Sequence, residues 1–209
     1  MRAKVPLTFP SHQGLILPIW RRWPAYFDVT ALCVGAAMPD IVDGLIGTCR
    51  GYLGQGYGHT LIGLFLPCLP GGLILTWLAR ILGKRTLKLS PLKSALPTWV
   101  KRFEGHVIEL PNHTSFSSSR FGGLLFWSFS VCIGAFSHLF FDLISHRSLV
   151  WFYPWYENHQ IFPSWWYVKW AGISLPFYRT PYPLGPHALA WIMLTIIGAV
   201  LFFRLLSCE

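Results

Sequence analysis

The sequence predicts an all-α fold: a polytopic membrane helix bundle with about four full spans, a short N-terminal helix and an interfacial aromatic segment, all within one membrane domain. Three observations predict it. The chain is 53% hydrophobic and only 12% charged, whereas soluble domains carry about 25% charged residues. Several apolar runs reach the ~20 residues that cross a hydrocarbon core. The basic residues fall between those runs, so the formal charge of +9 reads as positive-inside topology and not as a nucleic-acid surface.

In chain order, Ser11–Trp20 is about three turns long, with Ser11 as a reasonable N-cap; it reads as a half-helix or an interfacial helix. Val29–Cys49 is the first span. It carries Pro39, Asp40 and Asp43, which are costly in lipid and should face a protein interior or water. Thr60–Leu82 is the second span, with Pro67 and Pro70 predicting a kink. Lys84–Arg120 is a polar loop with Lys84, Arg85, Lys88, Lys93, Lys101, Arg102 and Arg120 against only Glu104 and Glu109. That excess places it in the cytoplasm, and His106 and His113 read as solvated there. Phe121–Ser145 and Ala188–Leu206 are the remaining spans. Arg147–Pro186 is rich in Trp, Tyr and Pro and too broken to span; short helices lying in the outer interface fit it best.

The five cysteines form no C-x-x-C pair and read as small buried hydrophobes. Leu15–Trp20 is too short and proline-flanked for a signal peptide, and Arg21-Arg22 follow it. Asp28 reads as a charge at a helix N-terminus near Arg21-Arg22. The glycine-rich Gly54–Gly58 follows no strand and lacks Lys-Ser/Thr, so it is a turn and not a phosphate cradle.

His138, Asp142 and His146 recur at i, i+4, i+8 with apolar residues between them. At about 100° per residue they span only ~80° of one helix face. Imidazole and carboxylate together suit Zn, with Mn or Fe as alternatives. The same stripe would also serve as an interhelical hydrogen-bond network or a proton relay. Threading the spans adds to it: His146 ends a span on the outer side, His59 begins the next inward one, and Asp40 and Asp43 lie in the outer half of the first. His12 joins them if Ser11–Arg22 and Tyr26–Cys49 form a hairpin turning at Trp23-Pro24. From His12 to Arg21 is about 14 Å, and from Phe27 to Asp40 about 20 Å, so the two lie toward one end. His187 starts the last span on that same side and is a further polar candidate.

The sequence resembles a family of bacterial membrane proteins of unknown function and about this length. The resemblance rests on Pro6–His12, Met38-Pro39-Asp40, His59-Thr60-Leu61, and Gly134-Ala135-Phe136-Ser137-His138 through Asp142 to His146. The same order of motifs is similar to a bacterial inner-membrane family described as metal-dependent hydrolases. The resemblance implies His12, Asp40, His59, His138, Asp142 and His146 as the functional set. That family commonly has an acid two residues after its Pro-Asp; here Val42 stands there and Asp43 follows.

The expectation is a multi-pass protein of the bacterial inner membrane, with those six residues holding one or two divalent ions and Asp43 serving as base or orienter. Its partners would be the lipid bilayer and a lipid or lipid-linked substrate. The alternative is a non-enzymatic membrane protein, a small transporter or assembly factor, whose polar cluster relays protons or holds helices together.

Overall fold

The computed structural model describes residues 10–50, 56–89, 120–145, 151–154, 161–174 and 182–207. Helices dominate them: α1 (Ser11–Arg22), α2 (Val29–Arg50), α3 (Leu61–Gly63), α4 (Leu69–Leu89), α5 (Arg120–Ser145) and α6 (Pro186–Ser207). A single π turn, Leu64–Cys68, joins α3 to α4, so the two run as one rod. Pro67 lies inside that turn; it has no amide to give the ladder, and the wider turn absorbs the defect. Four stretches are long and apolar enough to cross a membrane: Val29–Cys49, Leu61–Gly83, Gly122–Ile144 and Pro186–Leu205. The fold is thus the expected helical bundle of a multi-pass membrane protein.

α4 runs six residues past Gly83, so Lys84–Leu89 is helix and not loop. Lys, Arg and Leu are good helix formers, and cations suit a helix C-terminus. Apart from Arg120, which opens α5, the rest of the basic loop, with His106 and His113, lies outside the described residues, as does His146. In the aromatic segment, Ser164–Tyr167 is a short 3-10 turn, and Ala171–Ile173 pairs antiparallel with Tyr182–Leu184. Trp165, Trp170 and Phe152 are exposed there. The Trp166 indole N–H donates to the carbonyl of Ile144 at the end of α5.

α2 is the centre of the bundle and packs most extensively on α5. The two run parallel: the Asp28 N–H donates to Ser130 Oγ at one end, and His138 bonds Ala36 at the other. Small residues let the backbones touch. A Cβ on Gly134 would lie 2.2 Å from the Leu32 carbonyl oxygen, and one on Gly35 2.3 Å from that of Val131. α1 folds back along α2, with Leu17 against Val29 and Cys33, and Ile16 against Leu32 and Ala36. α6 covers α1 from outside, through Gly14 against Gly198 and Leu17 against Phe202.

Near the start of α2, Asp28 and Arg80 form a buried ion pair. Asp28 caps α2 by accepting from the Ala31 N–H, and the Arg80 guanidinium lies 5.0 Å over the Trp127 ring. Asp28 is therefore a helix N-terminal charge, and the cation it meets is Arg80 of α4, 52 residues away.

Candidate metal centre

All four aspartates of the chain (Asp28, Asp40, Asp43 and Asp142) sit in this bundle. Three of them surround one pair of histidines. Each helix delivers its side chain for a local reason. Pro39 lies inside α2 and leaves the Gly35 carbonyl without its ladder amide, and at the next carbonyl, that of Ala36, His138 Nδ1–H donates at 2.8 Å. That bond leaves His138 Nε2 pointing into the cluster.

His59 is fixed in the same manner from the other side. After α2 the chain returns to the level of Asp43, where the Gly56 and Gly58 amides donate to Oδ2 and Oδ1 of its carboxylate at 2.5 and 2.6 Å. His59 Nδ1–H donates to Asp43 Oδ2 at 2.6 Å. Thr60 then caps α3, its hydroxyl oxygen accepting from the Gly63 N–H. His59 Nε2 therefore also faces inward.

The inward-facing atoms meet closely. His59 Nε2 lies 3.2 Å from His138 Nε2 and 3.1 Å from Asp142 Oδ2. His138 Nε2 lies 3.5 Å from the same Asp142 oxygen. Asp40 Oδ1 lies 3.6 Å from His59 Nε2 and 3.7 Å from His138 Nε2. Ligands ~2.1 Å from an ion at tetrahedral angles are about 3.4 Å apart, so these five separations are each of the size found between two ligands of one ion. The other Asp142 oxygen, Oδ1, lies 3.7 Å from His12 Nε2, and the His12 ring stacks on that of His138 at 3.8 Å.

His12, His59, His138, Asp43 and Asp142 are all buried, and Asp40 is the most open of the group at 22% side-chain exposure. Two overlapping trios, His12–His138–Asp142 and Asp40–His59–His138, could each hold an ion. Burial opposes charging His59, but hydrogen bonds to Asp142 and Asp43 and the charges of Asp142 and Asp40 outweigh it, pushing its pKa up to about 10. A cluster with this much negative charge favours a cation at its centre.

Of the seven residues expected from sequence, the structure thus gathers His12, Asp40, His59, His138 and Asp142 around one point. It sets Asp43 behind the His59 ring, away from the cage, and His146 lies outside the described residues. His187 lies elsewhere, its ring 6.0 Å from that of Tyr167. The sequence reading missed Arg80. Its signal was a lone arginine inside an apolar run, near the end of the span.

The fold and the cluster define a polytopic helical membrane protein with a three-histidine, three-aspartate centre, buried except at Asp40. The profile of a family described as a domain of unknown function, DUF4184, matches residues 5–174, and the chain belongs to that family. No curated protein and no solved structure matches the chain.

Proposed function

We propose that the chain is a membrane-embedded metal-dependent hydrolase of the bacterial inner membrane, acting on a lipid or lipid-linked substrate. The observation that carries this reading is the cage itself: five donor–donor separations between 3.1 and 3.7 Å among His59, His138, Asp40 and Asp142. A purely structural network would put a donor hydrogen between most such pairs. Here both imidazoles spend Nδ1–H elsewhere, on Asp43 and on the Ala36 carbonyl, and turn Nε2 toward each other and toward carboxylates. Imidazole Nε2 atoms and carboxylates converging in this way suit a divalent cation that displaces the Nε2 proton, Zn first, with Mn or Fe as alternatives.

His59, His138, Asp40 and Asp142 would hold the ion. His12, on the second oxygen of Asp142, would complete the set or hold a second ion. A divalent ion supplies a water of pKa near ~7 and polarises the bond to be cleaved. Asp43 is a positioning residue: its oxygens are taken by two backbone amides and His59, so it acts by fixing the His59 ring.

The location supports a lipid substrate. From Gly122, where the α5 span begins, to Asp142 is about 30 Å, so the cage sits at the end of the bundle opposite Lys84 and Arg120. With the basic residues inside, that end belongs to the outer leaflet.

The test is metal analysis of the wild-type protein purified in detergent without chelators. Stoichiometric Zn, Mn or Fe is the expected result. Less than a tenth of an equivalent, with correct folding, would refute the metal reading. The proton relay would then take its place, because His12, Asp142, His59 and Asp43 form a contiguous chain.

A further inference from the structure

Among the donors in the cage, Asp40 alone is substantially open. Its surroundings on α2 show where the opening leads. One turn further along the same face is Gly44, where an added Cβ would meet no described atom within 4 Å. Ile41 is 36% exposed and Leu45 is 65% exposed on the adjoining flank. Up to Asp43 the other faces of α2 pack on α5, α1, α4 and the turn carrying His59, and its last turn, at Thr48 and Cys49, is exposed as well. Val29–Cys49 is long and apolar enough to cross a membrane, so a flank of it that no described residue covers can lie against the bilayer.

From these placements we propose that substrate reaches the cage sideways from the lipid, through an opening on α2 formed by Asp40, Ile41 and Gly44. The proposal rests on the metal-hydrolase reading and makes it more specific. The reacting molecule would be a bilayer lipid, its chains lying along Ile41 and Leu45 and its polar linkage turned in past Gly44 to Asp40. Gly44 is then a specificity-determining position. Helical side chains lean toward the N-terminus, over the preceding turn, so a large residue at 44 would lie across Asp40 without touching the packed core. Three other glycines at α2 do not share this freedom: at Gly35, Gly58 and Gly134 a Cβ would come within 2.4 Å of a backbone oxygen.

The test uses full-length protein in nanodiscs, loaded with Co2+, whose visible spectrum reports its ligands. Two hydroxamates serve as probes, dodecanohydroxamic acid from the bilayer and acetohydroxamic acid from water. Wild type and Gly44→Ala should show the spectral change with both probes. Gly44→Phe should keep the spectrum of the probe-free Co2+ protein, lose at least about tenfold in affinity for the long-chain probe, and bind the short one as wild type does. Equal weakening of both probes, or no weakening of either, would overturn the lateral route while leaving the metal centre standing. A wild-type protein that takes up no Co2+ would refute the metal reading and this proposal with it.

Discussion

Asp43→Asn isolates the positioning of His59 from the holding of an ion. The carboxylate accepts from Gly56, Gly58 and His59 at 2.5, 2.6 and 2.6 Å, two of these at Oδ2 and one at Oδ1. Asparagine keeps the shape but has one acceptor oxygen. If that oxygen stays on His59 and Gly56, the new NH2 group faces the Gly58 amide, donor against donor, which costs about 1–3 kcal/mol of stability. His59 keeps a hydrogen bond but loses its anionic partner, and with it some basicity at Nε2. Loss of such an orienting partner lowers metal affinity by about 10–100-fold, or roughly 1.4–2.7 kcal/mol. Competition of the detergent-solubilised protein against a chromophoric chelator measures this directly. An affinity within about twofold of wild type, in a variant that remains folded, would show that Asp43 does not act through His59. A loss far beyond a hundredfold would make Asp43 a ligand in its own right.

Four further outcomes are expected. Asp142→Asn should abolish stoichiometric metal, measured by elemental analysis, while detergent thermal stability stays within about 1–2 kcal/mol of wild type, because an amide is cheaper to bury than a carboxylate. In chelator-treated protein, His59 carries a pKa of about 10 against an ordinary 6.5; its stabilising charge is fully present below 6.5 and is lost as pH rises through 10, so the Tm of the ion-free protein should fall over that range. Arg80→Leu should cost about 3–5 kcal/mol by stranding buried Asp28, and the double variant Asp28→Asn/Arg80→Leu should recover much of it; equal losses in both would show that the pair is not coupled. A single cysteine at position 93 should be labelled by impermeant maleimide only after the cells are opened, and labelling of intact cells would invert the topology.

Much of this molecule was legible because lipid imposes a simple code. Four spans followed from apolar run length, and their ends from Lys84, Arg120 and Arg204. The His138–Asp142 pair was legible from the 3.6-residue period alone, since both must share a face of α5. His12 and His59 could be placed only by threading, and their actual contacts depend on details that a one-dimensional pattern does not hold. His12 reaches Asp142 because Gly14 lets α1 lie against Gly198 of α6. His59 reaches the cage because Gly56 and Gly58 amides tie the returning chain to Asp43. The resemblance pattern was ambiguous about Asp43, one residue later than the family's second acid; its position behind His59 is a product of tertiary folding. The continuation of α4 to Leu89 was hidden because polar, basic residues read equally well as loop or as the solvated end of a helix.

The distribution of negative charge ties these parts together. Lipid tolerates an aspartate only when something positive or hydrogen-bonding meets it. Asp28 has Arg80 and the Ala31 amide. Asp43 has two amides and an imidazole N–H. Asp40 and Asp142 instead face imidazole Nε2 atoms whose rings have already given Nδ1–H to other partners. Protons can balance this arrangement, which is why the ion-free His59 holds one so strongly. A proton sits on one atom at a time, however, and makes no use of the short separations that each imidazole Nε2 has from the other and from both carboxylates. A cation at the centre of these atoms uses them all. The two kinds of positive charge therefore compete for one place, and uptake of metal should release protons as it proceeds. Structural ion pairs need no such exchange: Asp28 and Arg80, at the far end of α2, are both buried and neutralise each other. Among the described residues, the centre at Asp40 is the one place where buried charge is both concentrated and left open on one side.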